Sequence, residues 1–154
     1  MVRILLLSIV PFVLARPIER DQPAAITPGW TVCGGYSAFE AVVVSPYVPP
    51  NQITVSVAGS INNTAGITAG LTDFAYTLIA PNGKVLFTDN KSYDTCSLDG
   101  ITCPIPNGQG HVTFQIPPPT ASTSASGLTA NSTIHVIDQE GNIALCLNNP
   151  SYPV

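Results

Sequence analysis

From Trp30 onward the chain alternates apolar and polar residues over short runs, and proline or glycine closes each run. Period-two alternation sets one group of side chains on one side of an extended strand. In "QITVSVAGS", Ile53, Val55 and Val57 fall on one side, with Thr54 and Ser56 on the other. "TDFAYTLIAPNGKVLFTD" places Phe74, Tyr76 and Leu78 together, turns at "PNG" and resumes with "KVLF". "FEAVVVSPYVPP" is a β-branched run stopped by prolines, and "HVTFQIPPP" alternates Val112, Phe114 and Ile116 before three prolines end it. "STIHVIDQEGNIALCL" reads as a hairpin with Ile134 and Val136 on one arm and a turn around Glu140, Gly141 and Asn142. That makes about seven strands, separated by frequent turn signals. No window of helical length carries an i, i+3, i+4, i+7 apolar pattern, and 15 prolines with 12 glycines disfavour long helices. The predicted class is all-β, an immunoglobulin-like sandwich of two sheets.

The N-terminus belongs to a different argument. "MVRILLLSIVPFVLA" has Arg3, an apolar run, and small residues at Val13 and Ala15. A membrane span needs roughly 20 apolar residues, and the polar "RPIERDQ" follows too soon. Residues 1–15 read as a secretory signal peptide cut after Ala15. Residues 16–29 read as a flexible leader or short propeptide, and 30–154 as one soluble domain. The stretch "PPPTASTSASGLTANST" is expected to be an exposed loop.

All four cysteines follow the signal peptide, which suits an oxidising compartment. Three pairings are open to four cysteines. A short bridge Cys96–Cys103 with a long one Cys33–Cys146 is the most economical. On chain entropy the short loop contributes about 2.5 kcal/mol and the long one roughly 5 kcal/mol. Asn62, Asn90 and Asn131 open acceptor sequons for N-linked sugar, each expected in a loop.

Charge narrows the partners. Only 9% of residues are charged, against about a quarter in an average domain. From Trp30 onward the bases are Lys84 and Lys91 alone, against Glu40, Asp73, Asp89, Asp94, Asp99, Asp138 and Glu140. Such a domain forms no phosphate-neutralising stripe, so nucleic acid is excluded as a partner, and strong docking on anionic membranes is disfavoured.

Reactive groups are sparse. His111 and His135 each fall on the polar side of a predicted strand and read as solvated. No nucleophile elbow, Gly-rich phosphate loop or zinc spacing occurs. Asp89, Asp94 and Asp99 lack the oxygen-rich spacing and closing glutamate of a calcium loop. No catalytic residue, metal or cofactor is implied.

Three segments then line up. "CGGYSAFEAVVVSP" (33–46) runs from Cys-Gly into a strand ending Ser-Pro. "CSLDGITCPI" (96–105) is a short cysteine loop leaving through Cys-Pro-Ile, and "ALCLN" (144–148) sets the last cysteine in a final strand. This order resembles the MD-2-related lipid-recognition (ML) family, nearest to Niemann–Pick C2-like sterol carriers and fungal phosphatidylglycerol/phosphatidylinositol transfer proteins. The likeness spans about Trp30 to Asn148. Animal sterol carriers of the family have a further cysteine pair after the Ser-Pro. Here that stretch is "YVPPNQ", which leans toward the phospholipid-transfer branch. The Ser/Thr-rich insertion near 120–133 is a second departure.

The resemblance implies an apolar cavity between the sheets and supports the economical cysteine pairing. It implies lipid binding and intermembrane transfer without a covalent step, with one lip of the cavity fixed by the stapled loop. From alternation and family position, the expected lining is Val55, Val57, Phe74, Tyr76, Leu78, Phe87, Val112, Phe114, Ile134 and Val136. Ile101, Pro104 and Ile105 are expected at the lip. The implied partners are a phospholipid or sterol ligand and a transient membrane contact, with the protein a monomer. The implied location is secreted, or the vacuolar or endosomal lumen, where a pI near 4.7 suits partial protonation of carboxylates. Two other readings compete: an extracellular recognition module with a filled core that binds glycan or protein, and a secreted hydrolase built on His111 or His135.

Overall fold

The structure is a computed structural model that describes residues 25–47, 51–117 and 127–153. The expected signal peptide, residues 16–24 of the leader and residues 118–126 of the Ser/Thr-rich stretch lie outside the described residues. The strands are β1 (Ala25–Ile26), β2 (Thr31–Gly34), β3 (Ala38–Val44), β4 (Ile53–Ile61), β5 (Gly70–Ile79), β6 (Val85–Asp94), β7 (Gly108–Ile116), β8 (Thr129–Asp138) and β9 (Ile143–Pro153). They form a four-stranded sheet, β1-β3-β4-β7, and a five-stranded sheet, β2-β9-β8-β5-β6. The two sheets face each other as a β-sandwich. Among the described residues no helix is long and apolar enough to cross a membrane.

Alternation places the side chains as expected through the middle strands. Ile53, Val55, Val57, Phe74, Tyr76, Leu78, Phe114, Ile116, Ile134 and Val136 are all buried between the sheets. Their polar neighbours point outward and bond across strands, as Ser56 does with Thr113 at 2.9 Å. One half of the sandwich is filled solidly. There Trp30 meets Tyr152 edge-on at 5.3 Å, and the Tyr152 hydroxyl donates to the Ser45 carbonyl at 2.6 Å. Burial holds the Tyr152 hydroxyl well above its usual pKa.

Two expectations change. Residues 25–29, placed in the leader, belong to the sandwich: β1 pairs in parallel with β3, and the Thr27 hydroxyl accepts from the Val44 amide at 2.8 Å. Two residues beside prolines are too few to show a period. The Ser/Thr-rich stretch also ends sooner than expected, because Thr129 to Thr133 already pair with β5. β-branched threonine is as much a strand residue as a loop residue.

The bridges are Cys33–Cys146, with Cα atoms 5.1 Å apart, and Cys96–Cys103, with Cα atoms 5.6 Å apart. The long one joins edge strand β2 to β9. Both expected hairpin turns form. Gly83 (φ +80°) closes the β5–β6 turn and Gly141 (φ +83°) the β8–β9 turn. At the second turn the Asp138 carboxylate accepts from the amides of Glu140 and Asn142, both at 2.9 Å, and from the Asn63 side chain at 3.1 Å. Burial by itself raises the Asp138 pKa, but those amide bonds outweigh it and hold the carboxyl below its usual range.

A depressed folded-state pKa gives stability that is present above the unfolded value, about 3.9, and lost as pH falls through the folded value. Asp138→Asn is therefore expected to cost about 1–2 kcal/mol at pH 7. In thermal melts the gap to wild type should close below about pH 4. A gap that stays constant down to pH 2 would contradict this account.

Candidate ligand cavity between the sheets

The inward side of β7 reads Ile116, Phe114, Val112, Gly110, Gly108 along the strand, and that of β4 reads Ile53, Val55, Val57, Gly59, Ile61. The two strands are in register, with Val57 opposite Val112 and Gly59 opposite Gly110. At the Gly59–Gly110 rung β4 and β7 therefore offer no side chain to the interior, and Phe39 of β3, opposite Gly59, is the nearest one on that sheet. A cavity of about 120 Å³ opens there. Val136 and Leu145 of the other sheet face it, Phe39 closes one side, and Ile67, Ile101 and Ile105 roof it. The one buried hydroxyl in the wall, Thr95, is bonded to Thr72 at 3.0 Å, so the lining is effectively apolar.

The roof is pinned down. Ile67 and Ile105 exchange both backbone hydrogen bonds at 2.9 Å. The Gln115 amide donates to the Asp99 carbonyl at 2.9 Å, which ties the cysteine loop to β7. At the entrance to that loop Asp94, the last residue of β6, caps the short 3-10 turn Thr95–Ser97 by accepting from the Cys96 amide at 2.9 Å. The rim opposite carries Ser37, Ser60 and the exposed His111.

Of the expected lining, Val57, Val112, Phe114 and Val136 reach this cavity, as do Ile101 and Ile105 of the expected lip. Val55, Phe74, Tyr76 and Ile134 are instead packed in the filled half, and Leu78 is buried beyond the cavity. Tyr76 stacks on Phe74 at 5.5 Å. Burial, then the nearby Asp89 charge, pushes its hydroxyl up to about 12. Phe87 is 41% exposed, because among the described residues β6 is an edge strand with a neighbour on one side only. Pro104 is not in the wall, whereas Pro106 is. Alternation marked Gly59, Gly110, Phe39, Ile67 and Leu145 as nothing special. The usable signal was glycine replacing an apolar residue at the inward position of two strands.

Other candidate groups have local roles. Asp89 pairs with Lys91 at 3.1 Å, and that bond lowers its pKa. His135 lies with the sulfurs of Cys33 and Cys146 inside a 4.8 Å cluster, but both sulfurs are spent in the disulfide and cannot ligate a metal. Asn90 lies within β6 and Asn131 within β8, not in loops, while Asn62 follows β4 directly. No protein-family model matches the chain, and no curated protein matches its sequence.

The two glycines differ in what they tolerate. A Cβ on Gly59 would sit 2.2 Å from the Ala38 carbonyl oxygen, whereas one on Gly110 meets nothing within 4 Å. Gly110→Val is expected to fill the cavity and stabilise the fold by about 0.5–2 kcal/mol. Gly59→Ala is expected to destabilise it by roughly 1–3 kcal/mol. Denaturant titration of both variants checks the pair, and a destabilised Gly110→Val would contradict the cavity.

Proposed function

We propose that this is a lipid-binding and lipid-transfer protein of the secretory lumen or the cell exterior. It holds the apolar end of one lipid between its sheets, at the Gly59–Gly110 rung, and uses no covalent step. The observation that carries the reading is an apolar gap, roofed by a stapled loop, inside an otherwise solid sandwich. Two disulfides, usual in lumenal and secreted proteins, support the location. The order of cysteine segments shared with the ML family supports the ligand class.

Size decides how loading proceeds. An apolar cavity of about 150 Å³ takes one benzene, so about 120 Å³ takes only a few carbons. Each further buried CH₂ is worth about 0.8 kcal/mol, enough to drive the sheets apart as a chain enters. The pinned roof resists this, so the give falls on the rim at Ser37, Ser60 and His111, where a head group stays in water. A phospholipid or a sterol would be drawn from a membrane by its tail in this way. The filled half of the sandwich favours the competing reading, a recognition module that binds glycan or protein on its surface.

The experiment is native mass spectrometry of the secreted full chain and of its Gly110→Val variant, with uptake of fluorescent phospholipid and sterol. Wild type is expected to carry one lipid, and the variant to fold but bind at least tenfold less. A wild type that flies empty and takes up neither probe would leave the recognition module as the better reading.

A further inference from the structure

The outer face of the five-stranded sheet holds a second, open hollow, of about 370 Å³, which shares no lining residue with the cavity. Its floor is Ala75 and Thr77, and Thr88, Asn90, Asn131 and Thr133 stand around it. Strand register explains the hollow. Ala75 lies between Asn90 on β6 and Thr133 on β8, and Thr77 lies between Thr88 and Asn131. A short residue on the central strand is flanked by longer polar ones on both neighbours. Two of the three acceptor sequons, Asn90-Lys91-Ser92 and Asn131-Ser132-Thr133, therefore open onto one hollow from opposite sides.

We infer that Asn90 and Asn131 both carry N-linked glycans whose first sugars share this hollow, and that Asn62 carries none. Both asparagines are exposed. The Asn131 side-chain oxygen accepts from Asn148 at 3.3 Å, a bond that does not engage its amide nitrogen, the atom to be joined. Hydroxyls of Thr77, Thr88 and Thr133 line the hollow and suit a polyhydroxylated ring. Asn62 is placed differently. Its amide nitrogen donates to the Tyr36 carbonyl at 3.4 Å, its oxygen accepts from Ser60 at 3.2 Å, and its neighbours Ser60 and Ile61 line the cavity. A sugar there would stand at the rim and displace the bonds that shape it.

The bond formed joins the asparagine amide nitrogen to the anomeric carbon of a lipid-diphosphate-linked oligosaccharide. The bond from that carbon to the diphosphate oxygen breaks, the diphosphate lipid leaves, and the amide gives up one proton. No electron changes hands, and the serine or threonine two residues on completes the acceptor.

The inference stands apart from the lipid reading and is tested without it. The full chain is secreted from a eukaryotic host and its peptides are mapped after release by a peptide-N-glycosidase (an amidase that turns each glycosylated asparagine into aspartate) in heavy-oxygen water. Asn90 and Asn131 are expected to be labelled and Asn62 unlabelled. Asn90→Gln and Asn131→Gln should each remove one glycan mass from the intact protein, and Asn62→Gln none. Label at Asn62, or a bare Asn90 or Asn131, would overturn the inference. Shared occupancy of the hollow is read by hydrogen exchange. Enzymatic removal of the sugars should speed amide exchange in β6 more than in β4, and equal change would overturn that part.

Discussion

Two sheets pressed face to face fill the space between them with side chains, and room remains only where side chains are withheld. Here the withholding is in register. Glycine meets glycine across β4 and β7, so neither strand can cover for the other. The filled half, where Phe74, Ile53, Ile116, Ile134 and Leu147 are all but fully buried, keeps the sheets from closing onto that rung. The cavity is thus a property of the pairing and not of any single residue. Shifting β7 by one position would turn Gly110 outward and point a polar residue into the gap.

The same end of the sandwich is fastened by polar groups that stay outside the gap. Asp138 organises the β8–β9 turn and holds Asn63. The neighbouring Gln139 accepts from the Thr68 amide at 3.1 Å and donates to the Gly66 carbonyl at 3.2 Å. The segment that bears Ile67 is therefore set by the turn on one side and by Ile105 on the other. This gives the disulfide loop its physical meaning. The Cys96–Cys103 bridge, at a seven-residue separation, closes the loop that bears Ile101, and Ile105 just beyond it is held by its two bonds to Ile67.

Much of this was legible from residue order. Alternation in "QITVSVAGS" and "HVTFQI" gave the facing strands, and the glycine-bearing turns gave the hairpins that pair β5 with β6 and β8 with β9. Both cysteine pairs follow the economical choice. The cavity wall was legible only in part, since an inward apolar residue looks the same whether it meets a neighbour or a void. Val57 and Val55 are two positions apart on one strand, yet only Val57 meets the gap. β1 was invisible because a strand of two residues is too short to show an alternation. Phe87 misled because alternation cannot report that a strand lies at the edge of its sheet.

That edge has a consequence for how the protein behaves in concentrated solution. β6 offers one row of backbone donors and acceptors to any extended chain that comes alongside, next to Val85, Leu86 and Phe87, each more than 40% exposed. Unpaired edges of this kind template self-association. Against it stand the charged side chains of Lys84, just before the strand, and of Asp89 and Lys91 along it, which would have to shed water for two copies to pair edge to edge.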